Sequence, residues 1–152
     1  MLTITINNRT VTLVLGGCSD SPGAEFPWIG QIGTTFGAVL GSDNAAAIEA
    51  LADAIGFAGL DNDEVCAIAK EIQNDEPGTT EESAWNQATE GSLPLNGGAE
   101  WVEADDWGFW NPDKETREKT MLALRVFDAL KGDEDATLAV LKVLGFRAEV
   151  CE

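Results

Sequence analysis

The stretch LTITINNRTVTLVL, residues 2–15, decides the fold because it contains two alternating strands separated by a turn. Ile4 and Ile6 fall on one face of the first strand, and threonines fall on the other. Residues 7–9, Asn-Asn-Arg, have the chemistry of a turn. The pattern therefore predicts an antiparallel β-hairpin. The second strand repeats the alternation, with three apolar side chains directed inward: Val11, Leu13 and Leu15.

The segment after this hairpin predicts a loop, a second hairpin and a pair of helices. Residues 16–27 are rich in Gly, Ser and Asp, and residues 28–40 carry apolar side chains interrupted by Gly-Thr-Thr. Ser42 or Asp43 can cap a helix, because apolar residues follow at helical spacing. Asp61 opens another helix with the same i, i+3, i+7 spacing. We expect these two helices to form a helical hairpin.

The middle of the chain is predicted to contain one short helix among loops. Thr79 and Glu82 have the spacing of a capping box, which favours a helix ending at about Glu90. Residues 91–98 have the composition of a loop, and residues 99–110 are irregular and aromatic. No strand is predicted between the short helix and residue 110.

A second helical hairpin is predicted in the last third of the chain. Asn111-Pro112 combines an N-cap residue with proline in the first turn, which is typical of a helix start. That helix is expected to end at about Leu130, and residues 133–135 start another. Residues 147–151 can add a closing strand. The last helix is apolar almost all round and is expected to be buried; its apolar residues are Leu138, Val140, Leu141, Val143 and Leu144.

These elements predict an α+β fold. An antiparallel sheet of four or five strands, from two N-terminal hairpins and a C-terminal strand, would pack with the two helical hairpins. The length of 152 residues suggests a single domain over residues 1–152. Within it, an acidic part of residues 1–110 and a helical part of residues 111–152 would be tightly joined.

Composition excludes several classes of protein. The chain has no histidine, which excludes Ser-His-Asp and Cys-His catalytic triads. Its three cysteines are far apart, so neither a disulfide framework nor a thiolate zinc site is expected. No apolar run reaches the ~18 residues of a membrane helix, and the N-terminus lacks the features of a signal peptide. We expect a cytoplasmic protein with no cofactor and no bound metal.

The charge is the strongest signal, because 27 acidic and 9 basic residues give −18. Between Thr10 and Asp113 there are nineteen acidic residues and one basic residue, Lys70. From Lys114 onward there are eight acidic and seven basic residues. A field of this sign repels phosphates, so direct binding to nucleic acid or to an anionic membrane is not expected. The same field attracts basic proteins.

An aromatic and acidic segment, residues 100–110, is the first candidate binding site. Tryptophan is enriched at binding hot spots, and surrounding carboxylates would select a basic partner surface. The alternative is that the indole rings pack as core onto the helix that follows. The residues predicted to bind the partner, including acidic pairs earlier in the chain, are Trp101, Glu103, Asp105, Asp106, Trp107, Trp110, Asp75, Glu76, Glu81 and Glu82.

The acidic surface as a whole is the second candidate. If its carboxylates line one face, they could imitate the phosphates of a nucleic acid and occupy the basic groove of a nucleic-acid-binding protein. The alternative is a solvated surface whose charge maintains solubility. The acidic residues in question are Asp20, Glu25, Asp43, Glu49, Asp53, Asp61, Asp63, Glu64, Asp75, Glu76, Glu81, Glu82 and Glu90.

Three further motifs are better explained by folding than by chemistry. Residues 61–64 and 133–135 contain clustered acids, but they do not fit a calcium loop, and acids favour helix N-termini. Residues 16–23 form a Gly-rich loop that lacks the lysine of a phosphate-binding loop. The helix pair after residue 111 offers only Lys142 on its second helix, so it does not resemble a DNA-reading element.

Three functions are compatible with these residues. The first is a non-enzymatic inhibitor that masks a basic, nucleic-acid-binding partner such as a nuclease, in the manner of anti-CRISPR-type phage inhibitors and toxin-immunity proteins. The second is a carboxylate- or metal-dependent hydrolase that uses Glu100, Glu103, Asp105 and Asp106. The third is a virion structural or assembly protein whose strand edges at residues 2–15 pair with neighbours. The concentrated charge and clustered tryptophans favour the first.

Overall fold

The computed structural model of this chain describes residues 1–16, 26–41 and 44–151. Over these residues the chain is an α+β protein, as predicted. It divides into two compact units. We call Met1–Phe57 with Gly108–Glu152 the sheet unit, and Ala58–Trp107 the acidic unit. The N-terminal strands thus group with the last helices, and the expectation of a single domain stays a prediction.

The described residues form nine strands, five α-helices and one 3-10 turn. None of these helices has the length and apolar character needed to cross a membrane. In chain order the elements are β1 (Leu2–Ile6), β2 (Arg9–Leu15), β3 (Phe26–Ile32), β4 (Thr35–Gly41), α1 (Asn44–Ile55), β5 (Leu60–Asp61), α2 (Asn62–Asp75), α3 (Glu81–Ala88), β6 (Leu93–Leu95), a 3-10 turn (Asn96–Gly98), β7 (Glu100–Val102), β8 (Trp107–Phe109), α4 (Lys114–Ala129), α5 (Glu134–Val143) and β9 (Arg147–Val150).

The first hairpin forms as predicted, with Ile4 of β1 opposite Val11 of β2. Its turn is shorter than expected, because Arg9 already belongs to β2. Only Asn7 and Asn8 connect the strands, and both have positive φ angles, 52° and 63°. A type I′ turn requires such angles at both central residues, and asparagine tolerates them better than most side chains. The turn therefore fixes the register of the two strands.

The sheet that contains this hairpin is mixed, whereas an antiparallel sheet was predicted. Within the described residues its six strands have the order β8-β3-β4-β2-β1-β9. The second hairpin, β3 with β4, is confirmed, and Ile29 lies opposite Ala38. However, β4 runs parallel to β2, with Leu13 beside Ala38. Parallel neighbours need a long return connection, because both strands run in the same direction. Here β3, which is antiparallel to β4, is part of the connection between β2 and β4.

Both strands of the first hairpin lie inside this sheet. β1 is flanked by β2 and β9, and β2 is flanked by β1 and β4. The prediction of free strand edges at residues 2–15 is therefore wrong. The closing strand forms over Arg147–Val150 and pairs with β1, which leaves β9 and β8 at the two edges.

Helices cover both faces of the sheet. A Cβ built at Gly37 would lie 2.6 Å from the Leu51 side chain of α1, so this glycine lets α1 approach one face closely. The next residue, Ala38, points to the opposite face, because side chains alternate along a strand. Thr3 and Thr12 are buried as well, as expected when neither face is open to water. Ala38 belongs to the core beneath α4 and α5, whose buried residues are Leu2, Ile4, Ile6, Val11, Leu13, Ile29, Ala38, Ala123, Leu124, Phe127 and Leu141.

Helix pairing agrees with the prediction in one case and differs in the other. α4 and α5 pack together as a helical hairpin, as predicted. The hairpin predicted from the helices near residues 43–55 and 61–72 is wrong: α1 packs on β3 and β4 of the sheet unit, whereas α2 packs against α3 of the acidic unit. Residues 91–98 and 99–110, predicted as loops, contain β6, β7 and β8. Strands of three residues are too short to show alternation.

Two of the helix caps, those of α3 and α4, differ from the predicted ones by one or two residues. Asp61 caps α2, as predicted, and accepts a 2.8 Å hydrogen bond from the Glu64 N–H. For α3 the cap is Thr80 rather than Thr79. For α4 it is Asp113 rather than Asn111. Serine, threonine, asparagine and aspartate are all good caps, so neighbouring candidates cannot be ranked from sequence. The cap predicted at residues 42–43 lies outside the described residues.

The last helix is not buried all round, contrary to the prediction. Leu141 is completely buried, but Val140 is 38% exposed, Val143 is 87% exposed and Leu144 is 51% exposed. The reason is that α5 packs mainly against α4 and the edge strand β9. Leu138 lies partly buried against the core, whereas Val140, Val143 and Leu144 face water.

We expect Leu141→Ala to lower the free energy of unfolding by about 2–5 kcal/mol, because it empties a buried site. Val143→Ala, on the exposed side of the same helix, should change it by less than about 0.5 kcal/mol. Urea unfolding followed by circular dichroism measures both values. Equal losses for the two variants would contradict the burial described for α5.

The free energy of unfolding should depend on pH through the Asp113 carboxylate. Hydrogen bonds from the Thr116 hydroxyl and from its backbone N–H lower the pKa of Asp113 below its usual value. A lowered pKa in the folded state adds stability above the pKa of the unfolded chain, and this increment disappears as pH falls through the folded-state pKa. Asp113→Asn retains the cap without titrating. The stability difference between wild type and this variant should therefore shrink on acidification from neutral pH to about pH 2; a constant difference would contradict the assignment.

A candidate protein-binding groove in the acidic unit

Most of the negative charge of the chain belongs to the acidic unit. Residues 58–107 contain thirteen acidic side chains and one basic side chain, a net charge of −12 out of −18. Ten of the thirteen are exposed, and Glu100, Glu103 and Asp106 are half-buried. Across the described residues, every ion pair lies outside this unit. Most carboxylates of the acidic unit are therefore exposed and open to cations from outside.

The acidic unit is built from two helices and a small sheet. α2 packs against α3, and the sheet has the order β5-β7-β6. The Gln73 side chain donates a 3.1 Å hydrogen bond to the Thr79 carbonyl and so fastens the turn between the helices. The buried side chains are few and mostly small: Val65, Ala69, Ala84, Leu95 and Val102.

A groove of about 380 Å³ lies between α2 and α3. Small residues of α2, Cys66 and Ala69, leave the space, and the half-buried ring of Trp85 on α3 borders it. Glu81 and Glu82 stand at the start of α3 on the rim. We call this feature the α2–α3 groove; it is lined by Cys66, Ala69, Lys70, Gln73, Glu81, Glu82 and Trp85.

The Trp85 side chain packs against a second indole ring. Its ring meets the ring of Trp101 edge to face, with centroids 6.2 Å apart and an angle of 83° between the planes. Trp101 in turn donates a 2.8 Å hydrogen bond from Nε1 to Asn62 Oδ1, and the Asn62 amide donates to the Gly98 carbonyl. An aromatic face fixed in this way can accept a cation without losing much side-chain entropy.

The structure brings some of the predicted binding residues to this groove and leaves others apart. Glu81 and Glu82 line it, and Trp101 supports it. Glu103, Asp105 and Asp106 lie in the turn after β7, which is closed by a 2.9 Å hydrogen bond from the Asp106 N–H to the Glu103 carbonyl. These three residues do not line the groove.

The two other predicted tryptophans have roles in packing. Trp107 donates a 3.0 Å hydrogen bond from Nε1 to the Gly91 carbonyl. Trp110 belongs to the sheet unit and packs on its core. Its ring lies edge to face with Phe36, at 5.8 Å, and the Arg9 guanidinium stands 4.6 Å from its centroid. For Trp110, the core alternative considered from sequence is the arrangement observed.

Sequence reasoning missed Trp85 and the face of α2 that borders the groove. Cys66, Ala69, Lys70 and Gln73 recur at i, i+3, i+4 and i+7, so they occupy one helical stripe. That stripe was readable from the sequence. However, the mixture of a cysteine, an alanine, a lysine and a glutamine has no chemical signature. Only the packing of α3 shows that the stripe faces a cavity.

The predicted acidic residues at helix ends have different energetic roles. Asp63 and Glu64 of α2, like Glu81 and Glu82 of α3, occupy first turns, where the helix dipole favours a negative charge. Asp75 is the last residue of α2. A carboxylate at a helix C-terminus is unfavourable, so folding does not explain its presence.

The remaining acidic candidates do not form one cluster. Glu49 and Asp53 belong to α1 of the sheet unit, and Asp133 caps α5. Asp20, Glu25, Asp43 and most of the Gly-rich loop, residues 17–23, lie outside the described residues. Within residues 1–16, 26–41 and 44–151, no three acidic or cysteine side chains come close enough together to hold a metal ion.

Neutralising acidic residues at the two ends of a helix should have opposite effects on stability. Asp75→Asn should raise the free energy of unfolding by about 0.3–1 kcal/mol at low ionic strength, and Glu82→Gln should lower it by a similar amount. Urea unfolding at low and high salt measures the difference. Added salt should reduce both effects. Destabilisation by Asp75→Asn would show that the carboxylate has a folding role after all.

Comparison with known proteins gives no relative from which a function could be transferred. No protein-family model, no curated protein and no solved structure matches the chain. The residues themselves are therefore the basis for any functional inference. They provide an unpaired negative surface and a groove that combines carboxylates with an aromatic face.

Proposed function

We propose that this protein is a non-enzymatic binding protein that uses the acidic unit to mask a basic, nucleic-acid-binding surface of a partner protein. The observation that carries the proposal is the concentration of thirteen carboxylates in fifty residues without any ion pair among the described residues. Helix capping and the helix dipole account for some of these carboxylates, but none of them is neutralised by a cation of the described residues. Left unpaired, they steer a cationic surface towards the unit.

The α2–α3 groove supplies a contact that a merely diffuse charge would lack. An arginine or lysine side chain of the partner can lay its aliphatic stem against Ala69 and Trp85. Its charged end then lies near Glu81 and Glu82, where charge-assisted hydrogen bonds can form. The face of Trp85 adds a cation–π interaction. The same arginines and lysines would otherwise bind phosphates, so occupation of the groove competes with nucleic acid.

The other two functions receive less support from the structure. A carboxylate hydrolase was predicted to use Glu100 among its residues, but Glu100 Oε2 accepts a 3.1 Å hydrogen bond from the Gly59 N–H and so contributes to the fold. An assembly protein was predicted to pair through free strand edges at residues 2–15, and those strands are inside the sheet. No observation in the structure favours either function over the first.

Binding of a labelled oligo-arginine peptide, followed by fluorescence anisotropy, tests the proposal. Glu81→Gln with Glu82→Gln should weaken binding roughly tenfold, since charge-assisted hydrogen bonds are lost. The matched control is Asp63→Asn with Glu64→Gln, which removes the same charge from the first turn of α2 at residues that do not line the groove. Wild-type affinity should fall as salt rises. Equal losses in both double variants would indicate non-specific attraction and would contradict a binding groove.

Substitution of Lys70 should change the affinity for the peptide in the direction opposite to substitution of Glu81 and Glu82. Lys70 is the only basic residue in the acidic unit and lies on the groove. If the groove accepts a cation, Lys70→Gln removes a repulsive charge and should tighten peptide binding about two- to fivefold. Weaker binding after this substitution would show that the groove prefers anions.

Alkylation of the exposed Cys66 thiol should also slow when peptide is bound, whereas alkylation of the exposed Cys151 should not.

Masking itself is tested by competition. A labelled DNA duplex bound to the oligo-arginine peptide should be released when the protein is added, and the Glu81→Gln, Glu82→Gln variant should release it less efficiently. A ternary complex of protein, peptide and DNA would falsify the masking function, even if the peptide still binds the groove.

A further inference from the structure

Most of the basic residues of the chain follow the acidic unit in the sequence. Seven of the nine lie between Lys114 and Arg147, on α4, α5, β9 and their connections in the sheet unit. The same segment exposes large apolar side chains: Leu122 is 46% exposed and Leu144 is 51% exposed. Exposed apolar patches with a charged rim are typical of interaction surfaces.

Leu122 and Leu144 line one cavity. Its volume is about 380 Å³, and Phe146 adds to its apolar floor. Lys119 and Arg147 stand on its rim. No carboxylate of the described residues lines this cavity, although the chain has three acidic residues for each basic one. The cavity therefore combines aliphatic side chains with positive charge.

A second cavity, of about 320 Å³, continues past Leu122 along α4. Met121 and Leu122 form its apolar part, and Arg117 and Arg125 are its cations. Its one acidic residue, Glu118, makes a 3.8 Å ion pair with Lys114. Both cavities include Leu122, so they adjoin at this side chain. We call the two together the basic–apolar groove and define it by Lys119, Leu122, Arg125, Leu144 and Arg147.

The cations of this groove are largely available to a partner. Lys119 makes a 3.0 Å ion pair with Glu115, but both side chains are more than half exposed, so the pair contributes little. Among the described residues, Arg125 and Arg147 have no carboxylate within 4.0 Å. Two free guanidinium groups beside exposed leucines are complementary to carboxylates beside apolar side chains.

We propose that the basic–apolar groove docks an acidic amphipathic helix of a partner protein. Leucine-like side chains at i, i+3, i+4 and i+7 of that helix fill the floor between Leu122 and Leu144. Its flanking carboxylates pair with Arg125 and Arg147. Nucleic acid fits less well, because Phe146 is the one aromatic side chain that lines this groove among the described residues, and the net charge of −18 repels phosphates. This inference is independent of the function proposed for the acidic unit, since it concerns other residues.

A synthetic helical peptide with leucine at those four spacings and glutamate at the flanking positions is the probe. Its binding is measured by fluorescence anisotropy with the full chain. Leu122→Ser with Leu144→Ser should weaken binding at least about tenfold. Val140→Ser with Val143→Ser removes two exposed apolar residues that line neither cavity, and it should change the affinity less than about twofold. All four residues are exposed, so none of these variants should unfold.

The charge requirement is tested separately. Arg125→Gln with Arg147→Gln should weaken binding at least about fivefold, whereas Lys131→Gln with Lys142→Gln, which removes two cations that line neither cavity, should not. A peptide with glutamine in place of glutamate should bind more weakly than the acidic one. No binding of the acidic peptide at about 1 mM protein, or equal losses in a test pair and its control, would overturn the proposal.

Two other occupants give distinct results. If the groove joins two copies of this chain, analytical ultracentrifugation will show a dimer that Leu122→Ser with Leu144→Ser dissociates, and the proposal is wrong. If the groove accepts nucleic acid, a DNA duplex will compete with the acidic peptide and will depend on the same two arginines; that outcome also overturns it. A monomer that binds the acidic peptide and ignores DNA supports the proposal.

Discussion

The covering of the central sheet on both faces is the constraint on which the sheet unit depends. Because side chains alternate along a strand, Gly37 of β4 faces α1 and Ala38 faces the core beneath α4. Both faces of this strand are therefore packed against helices. The parallel pairing of β2 with β4 places the second hairpin beside the first and extends the area to be covered. α5 packs at the margin, over the edge strand β9. Over the described residues its outer side is exposed, so Val140 and Val143 of this helix face water.

Charge is divided between the two units in an unequal way. The acidic unit has −12 and a core of few, small side chains, so mutual repulsion of its carboxylates opposes folding. Helix caps at Asp61 and Thr80 and the contact between Trp85 and Trp101 offset that repulsion locally. The sheet unit has most of the basic residues, several of them beside exposed leucines. One chain thus presents two surfaces that suit ligands of opposite charge.

The sequence predicted those features that depend on neighbours in the chain. Alternation and the Asn7–Asn8 turn were sufficient for the first hairpin, and Asp61 was sufficient to locate the start of α2. Features that depend on distant residues were missed or wrong. Three such features are the parallel pairing of β4, the packing of α2 on α3 and the position of α5 at the margin. Each depends on which surfaces remain uncovered once the other elements have packed, and a local sequence pattern does not contain that information. For the candidate site, Glu81 and Glu82 were predicted from charge, whereas Trp85 required the geometry.

The pairing of β9 with β1 joins residues from opposite ends of the sequence, and the hydrogen bond from Thr3 to the Glu149 carbonyl spans 146 positions. During synthesis β1 and β2 can pair early, whereas β1 gains its second neighbour only after residues 147–150 have been made. Until then, the outer edge of β1, a strand rich in isoleucine and threonine, is open to pairing with another chain. The order of synthesis therefore leaves this edge unprotected for longer than the edge that β1 shares with β2.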